Sequence, residues 1–405
     1  MTVGISLQKL GATPTPEQVD EYMKSWGLQS HVIGTSVQGR HLLLYEFPPT
    51  MDRKQNHSQD RIPTILFLSL VHGNEPMGLI SLLSTVHVMA TAHLRGKAEA
   101  SAVRVLFFPI VNVDGYWLNL NCAAGHHRGN MRRTPCNLSH LPKWFECNNH
   151  DNDENQDAQI EFVMGVDLNR NFPVDWNGTY ASNVPQSEAS SVDACSSNYH
   201  GSAPFSEPET QAIRHIANAY PLVAALSFHS LSAASRGAAM IIHPYASSRP
   251  MEQMPMADQE RFRSWSNAMN ANNLYKVGTA LEVIDYAAGG TTIDWLYSTH
   301  NTTAFVLEVV PLCNSRWCPA TPRLYRSARD YAQVARRLVE LVVHDGRVVS
   351  DAESIQRSVL FLLFLLALYL IRSWKKPLQS FVRRRIYGKF KNGSVSETEM
   401  QNLKP

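Results

Sequence analysis

The chain has 405 residues, enough for one large domain or two ordinary domains with a sizeable hydrophobic core. Its composition is globular, with 44% hydrophobic and 18% charged residues. The net charge is only +2 and the basic excess lies in the C-terminal tail, so nothing indicates a nucleic-acid partner.

Up to about residue 346, predicted strands and helices alternate along the chain. A short helix is predicted over 14–26, and SVQGRHLLLYEF (36–47) alternates around a turn like two strands at a sheet edge. Continuous apolar runs, which are typical of central strands covered on both faces, occupy 64–71, 103–111, 224–230 and 303–310. Helices are predicted over 76–95, 207–220, 257–273 and 321–345. The pattern predicts an α/β domain with a mixed sheet.

Polar side chains follow two of the predicted central strands, at the edge where α/β sheets bind ligands. His72 and Glu75 in HGNEPMG come directly after one strand, and His229 in LSFHS ends another. Two histidines and a carboxylate can bind a catalytic zinc ion, with water in the fourth position. The alternative interpretation is that each is a hydrogen-bonded loop residue.

Two further features carry possible chemistry. GVDLNRNFP (165–173) places an arginine and two asparagines side by side, which suits binding of a carboxylate. Glu308 lies within the apolar strand AFVLEVV, where an unpaired carboxylate is costly and a functional role or a salt bridge is expected. Close to a metal, Glu308 would act as a general base on water.

Five motifs in order resemble the zinc metallocarboxypeptidases of the M14 family: HGNEP, GVDLNRNFP, LSFHS, IDYAAGGTTIDW and FVLEV. The resemblance covers about residues 15–345. It implies an eight-stranded mixed sheet with helices on both faces and one zinc ion per chain. DLNRNFP is closest to the N/E, or regulatory, branch, although the transthyretin-like domain of that branch is not expected here.

The resemblance implies a role for each matching position. His72, Glu75 and His229 match the zinc ligands, and Glu308 matches the catalytic base. The function implied is a zinc exopeptidase that acts on the C-termini of peptides or proteins. Two alternatives are a carboxypeptidase-like binding protein without activity and an amidohydrolase or deglutamylase of the same superfamily.

The remaining matches concern the substrate. The groups expected to hold its terminal carboxylate are Asn169, Arg170 and Tyr286. Arg132, in NMRRTP, most resembles the arginine that polarises the scissile carbonyl, with Arg133 and Arg128 as neighbouring alternatives. Enzymes of the family that select basic residues carry an acid at the position of Ile293 or of Ala246. Neither acid is present, so a preference for neutral or apolar C-terminal residues is expected.

The C-terminal segment is predicted to anchor the chain in a membrane. Residues 358–374 are almost entirely apolar and are followed by a basic stretch. We therefore predict an N-terminal extension (1–14), a catalytic domain (15–346), a linker (347–357), a transmembrane helix (358–374) and a cytoplasmic tail (375–405). The alternative is an apolar helix that docks on the domain or on a membrane surface.

The compartment of the catalytic domain follows from the same segment, whose basic flank predicts an extracellular or lumenal domain. The six cysteines would pair in such a compartment, and short intervals favour Cys136 with Cys147 and Cys313 with Cys318. Glycosylation sequons occur at Asn56, Asn137, Asn177, Asn301 and Asn392. No signal peptide is recognisable, so a late-inserted anchor with a cytosolic domain is the alternative. No feature indicates the oligomeric state.

Overall fold

An eight-stranded sheet forms the centre of a unit that spans Met1–Val343. The computed structural model describes residues 4–47, 62–94, 103–121, 127–134, 136, 164–177, 190–231, 238–310 and 320–345. The strands are β1 (Gln29–Thr35), β2 (His41–Phe47), β3 (Thr64–Ser69), β4 (Arg104–Phe108), β5 (Leu222–Ser230), β6 (Met240–Ile242), β7 (Lys276–Gly278) and β8 (Thr303–Val309). They lie in the order β1-β2-β4-β3-β5-β8-β6-β7. The mixed eight-stranded sheet expected from the sequence is confirmed.

Parallel pairing joins the four central strands. β4, β3, β5 and β8 are successive parallel neighbours, whereas β1, β2 and β6 each make antiparallel pairs. Every residue of β3 and β4 is buried, which explains why the sequence shows uninterrupted apolar runs there. Because the central strands are parallel, their carboxyl ends meet at one edge of the sheet.

Nine α-helices accompany this sheet in the part of the chain that the structure describes. They are α1 (Leu7–Leu10), α2 (Pro16–Ser25), α3 (Pro76–Leu94), α4 (Val113–Asn121), α5 (Pro208–Ala219), α6 (Met256–Met269), α7 (Ala280–Ile284), α8 (Thr292–His300) and α9 (322–345). α3 packs against β3 and β5, and α8 packs against β8. A Cβ atom on Gly78 would lie 2.8 Å from the carbonyl oxygen of Phe228, so glycine allows α3 to approach β5 closely.

The sequence-based elements agree with the structure where the apolar pattern is long. The predicted helix 76–95 and strand 303–310 correspond to α3 and β8 within a residue or two. The predicted edge hairpin over 36–47 is displaced, because its first strand lies earlier, at Gln29–Thr35. β1 is largely exposed and does not alternate, so it gave no strand signal.

One disulfide differs from the predicted pairing. Cys136 bonds to Cys195, with 4.9 Å between their Cα atoms and a sequence separation of 59 residues, so Cys136 with Cys147 was wrong. The two segments also meet at Thr134, whose hydroxyl donates to the carbonyl oxygen of Ala194. Proximity in sequence did not predict the pairing, because Cys195 is distant from Cys136 along the chain but close to it in space. The predicted pair of Cys313 and Cys318 lies outside the described residues.

The predicted anchor also lies outside the described residues, together with the linker and the tail. Among the helices that are described, none combines the length and the apolar character required to cross a bilayer.

Candidate active site

Three side chains from two strand ends converge at the carboxyl edge of the sheet. His72 follows β3 after Leu70, whose φ of 47° turns the chain sharply. Glu75 directly precedes α3, and His229 lies near the end of β5. His72 Nδ1 lies 2.7 Å from Glu75 Oε1, and His229 Nδ1 lies 3.0 Å from Glu75 Oε2. The two Nδ1 atoms are only 3.1 Å apart, so the potential ligand atoms face a common point.

This arrangement fits a zinc ion. All three side chains are buried. Their potential ligand atoms lie within 4.8 Å of one another, close enough to share one metal ion. Two imidazole nitrogens and one carboxylate oxygen are donors that zinc prefers. The three residues can therefore hold one metal ion, as the sequence predicted.

The charge state of Glu75 suits a ligand. Burial alone would raise its pKa, but the charges of His72 and His229 bring the pKa below its usual value. The backbone N–H of Ser230 also donates to Glu75 Oε2, at 3.1 Å. Glu75 therefore remains ionised, which metal binding requires.

Asp167 is a buried functional residue to which the sequence analysis gave no role. Its Oδ1 atom lies 3.1 Å from His72 Nε2, and it also accepts a hydrogen bond from the backbone N–H of Asn169. Burial would raise the pKa of Asp167, but Arg128, His72 and Arg170 hold it well below its usual range. A carboxylate on the second nitrogen of a metal-binding histidine fixes the ring orientation. The signal available in the sequence was an acid within the otherwise apolar start of GVDLNRNFP.

Arg128, one of the alternatives for the carbonyl-polarising arginine, contacts the metal-binding group. Arg132 makes an ion pair with Glu207 at 3.0 Å, and 42% of its side chain is exposed. Arg128 instead donates from Nε to Asp167 Oδ2 at 2.9 Å, and its Nη1 lies 3.6 Å from Glu75 Oε1. The guanidinium beside the metal-binding group therefore belongs to Arg128, because the chain turns between the two arginines.

Glu308 lies beside His229 in the sheet. The two residues are register partners of the parallel strands β8 and β5. Its Oε2 atom has no hydrogen-bond partner among the described residues. Burial raises the pKa of Glu308, His229 lowers it and Glu75 raises it, and the resulting pKa is about 7. A carboxyl group with this pKa can both accept and return a proton near neutral pH.

Among the residues expected to bind the substrate, Asn169 and Arg170 lie on a 3₁₀ turn (Leu168–Arg170), Ile293 lies at the start of α8, and Tyr286 lies between α7 and α8. Arg170 is 3% exposed, and its buried Nε atom has no hydrogen-bond partner among the described residues. Asn169 accepts hydrogen bonds from the backbone N–H and the hydroxyl of Thr292. Ile293 is buried in the first turn of α8. Tyr286 is close enough to Arg128 to raise the pKa of that guanidinium.

The fold and the buried group of two histidines and a carboxylate resemble those of zinc carboxypeptidases. The family model for zinc carboxypeptidases matches residues 26–330, and the chain belongs to this family. Carboxypeptidase A5 of Homo sapiens is 35% identical over 156 residues, which are 36% of this chain and 31% of that protein. Carboxypeptidase A2 of Mus musculus is 25% identical over 309 residues, 74% of this chain and 63% of that protein. The chain thus spans about a third of the length of the first of these relatives.

Solved structures show the same fold. Carboxypeptidase A from Helicoverpa armigera has a TM-score of 0.60 at 21% identity and covers 83% of this chain and 75% of its own. Bovine thrombin-activatable fibrinolysis inhibitor, in complex with tick carboxypeptidase inhibitor, has a TM-score of 0.58 at 21% identity. It covers 82% of this chain and 97% of its own chain.

The position of Arg128 predicts the effect of its removal. We expect Arg128→Ala to lower kcat for release of a C-terminal residue by about 10²- to 10³-fold, as for loss of one oxyanion-binding donor. Arg133, an exposed neighbour, provides the matched control, and Arg133→Ala should keep the wild-type rate. Steady-state kinetics on a peptide with a free C-terminus would measure the rates of both variants, with a C-terminally blocked peptide as the background. A larger loss for Arg132→Ala than for Arg128→Ala would contradict the assignment.

Proposed function

We propose that this chain is a zinc exopeptidase that hydrolyses the last peptide bond of peptides or proteins. The observation that carries the proposal is the position of Glu308 and Arg170 beside the buried group of His72, Glu75 and His229. Arg170 lies in the same turn as Asp167, whose Oδ1 atom is 3.1 Å from His72 Nε2, and Glu308 is the register partner of His229. A site that only binds C-termini has no need of the metal ligands or of Glu308.

The chemistry of the bond cleavage is divided between the side chains. A zinc ion held by His72, Glu75 and His229 would act as a Lewis acid toward water and toward the scissile carbonyl. Glu308 takes a proton from the attacking water and gives it to the leaving amine, a role that its pKa of about 7 suits. Arg128 donates to the carbonyl oxygen as negative charge develops there.

The exopeptidase specificity comes from the groups that bind the free carboxylate. The buried guanidinium of Arg170 has an unpartnered Nε–H among the described residues, and it can pair with a carboxylate. Asn169 and Tyr286 bind the same carboxylate in this proposal. Fixing the carboxylate fixes the distance from the chain end to the reacting carbonyl, so only the last peptide bond reaches Glu308.

We also propose a preference for neutral or apolar C-terminal residues. Ile293 and Ala246 are buried and apolar, and both adjoin Asp294. The Asp294 oxygens accept hydrogen bonds from the backbone N–H groups of Ala246 and Ser247, and burial raises the pKa of Asp294 to about 7. Both oxygens of this acid are therefore already engaged by the backbone.

Membrane anchoring through residues 358–374, with the catalytic domain on the extracellular or lumenal side, is part of the proposal. The sequence of this segment supports it, and so do two features of the described residues. The Cys136–Cys195 disulfide is typical of an oxidising compartment. The sequon residues Asn177 and Asn301 are both exposed, as glycosylation requires.

The role of Glu308 predicts a separation of binding from catalysis. We expect Glu308→Gln to retain one zinc ion per chain and to lower kcat by about 10²- to 10⁴-fold, because only the proton carrier is lost. Glu260→Gln, at an exposed position of α6, is the control. Metal analysis together with release of a C-terminal residue measures both properties. Equal release by Glu308→Gln and the wild type would end the proposal.

The specificity is tested with peptides that differ only in their last residue. The wild type should release Phe or Leu faster than Arg, because a hydrophobic pocket does not compensate a buried cation. Ile293→Asp should raise the release of Arg relative to Phe by about tenfold or more, since the new carboxylate supplies the missing charge. Ile293→Asn, of similar size but neutral, is the control. Faster release of Arg by the wild type would contradict the preference.

Anchoring and orientation are tested in cells that express the full chain. Alkaline extraction should leave the full chain in the membrane fraction and release a variant that stops after residue 346. Enzymatic removal of N-linked glycans should increase the mobility of the wild type, and Asn177→Gln with Asn301→Gln should reduce that shift. A full chain that is extracted by alkali, or that carries no glycan, would argue against this topology.

A further inference from the structure

Asn130 is a fully buried residue two positions after Arg128. We propose that Asn130 is a positioning residue, which fixes the guanidinium of Arg128 by joining the segment 127–132 to the segment 164–167. The inference rests on the proposed function only for the catalytic role of Arg128. The positioning itself is a property of the fold and can be tested separately.

The acceptor side of Asn130 connects the two segments directly. Its Oδ1 atom accepts hydrogen bonds from the backbone N–H groups of Val166, at 3.1 Å, and of Arg132, at 3.2 Å. The backbone N–H of Asn130 donates to the carbonyl oxygen of Val166, at 3.1 Å. Val166 immediately precedes Asp167, so these bonds fix the spacing between Arg128 and its carboxylate partner.

The donor side of Asn130 ties both segments to the start of α5. Its Nδ2 atom donates to Glu207 Oε2 at 2.6 Å and to Glu209 Oε2 at 3.1 Å. Glu207 also accepts hydrogen bonds from Arg132 Nε and from the hydroxyl of Ser206. Both acids are buried, and burial raises the pKa of Glu209 to about 7. An asparagine meets these demands because one amide both accepts and donates.

Close backbone packing makes the two segments sensitive to any shift of Asn130. Gly165 has a φ of 69°, and a Cβ atom there would lie 1.8 Å from the carbonyl oxygen of Asn130. A Cβ atom on Gly129 would lie 2.7 Å from the carbonyl oxygen of Met164. The two backbones are therefore packed too closely at these glycines for one to move alone, so a displacement of Asn130 would also displace the segment 164–167.

The consequence reaches the active site through the pair of Arg128 and Asp167. Their hydrogen bond, Nε to Oδ2 at 2.9 Å, spans the same two segments that Asn130 joins. The carbonyl oxygen of Arg128 also accepts a hydrogen bond from the backbone N–H of Gly73, next to His72. Loss of the amide of Asn130 therefore displaces the guanidinium of Arg128, which must lie close to the metal ligands to bind the scissile carbonyl.

The main test is Asn130→Asp in the zinc-loaded full chain. The new carboxylate can still accept from Val166 and Arg132, but it cannot donate and faces the carboxyl groups of Glu207 and Glu209, so the segment 127–132 should shift away from the start of α5. We expect kcat to fall by about 10- to 100-fold, as for a small misplacement of a catalytic group, with KM changed less than about twofold. Asn270→Asp is the matched control, because the Asn270 amide also accepts from and donates to the backbone, in this case at Tyr275. It should lower the melting temperature without changing kcat.

A second measurement separates positioning from a general loss of structure. In the background of Arg128→Ala, Asn130→Asp should change kcat by no more than about twofold, since the group that it positions is already absent. A further tenfold loss in this background would overturn the proposal. A wild-type kcat for a folded Asn130→Asp would overturn it too.

The third measurement does not depend on activity. The ¹⁵N resonance of the Arg128 Nε–H should shift or broaden in Asn130→Asp, whereas that of Arg104, which donates to Glu46 at a remote position, should stay unchanged. If Asn130→Asp does not fold, Glu207→Gln replaces it and should cause the same shift in a smaller amount. An unchanged Arg128 resonance overturns the positioning role. If the Arg128 resonance shifts in Asn130→Asp but the wild type has no peptidase activity, only the proposed function is defeated.

Discussion

The parallel register of β3, β5 and β8 is the constraint on which the site depends. Ser69 pairs with Phe228, and His229 pairs with Glu308, so the chain that leaves β3 meets the ends of the other two strands. A slip of one residue in β5 would turn His229 to the opposite face of the sheet. The complete burial of β3 and the close approach of α3 at Gly78 oppose such a slip. The hydrophobic core therefore sets the distances between the metal ligands and the base.

Within that frame, three buried acids are given different charge states by their partners. Glu75 and Asp167 face histidines and an arginine, so their pKa values fall despite burial. Glu308 lacks a hydrogen-bond partner for Oε2 among the described residues, and burial dominates and raises its pKa to about 7. Carboxyl groups whose pKa values are pushed apart in this way take different chemical roles. Two acids hold cationic groups in place while the third remains able to exchange a proton.

The sequence was sufficient to predict an element wherever a long apolar run indicates that the element is buried. The central strands and the convergence of His72, Glu75 and His229 followed from such runs, because parallel strands place their ends together. β6 and β7, with three residues each, are too short to produce a pattern. The sequence left Arg132, Arg128 and Arg133 as alternatives for a different reason: periodicity does not tell which of several nearby side chains faces a site when they lie in an irregular loop. The partner of Cys136 was likewise determined by how distant segments return to each other.

The open choice among the arginines and the role inferred for Asn130 have one origin. Arg128 and Asp167 are 39 residues apart in the chain, yet their side chains form a hydrogen bond. The hydrogen bonds between Asn130 and Val166 join the two segments that carry them. Buried hydrogen bonds of Asn130 to Glu207 and Glu209 anchor this junction. GVDLNRNFP could be recognised because its residues are consecutive, whereas Arg128 is brought to Asp167 only by contacts between distant segments.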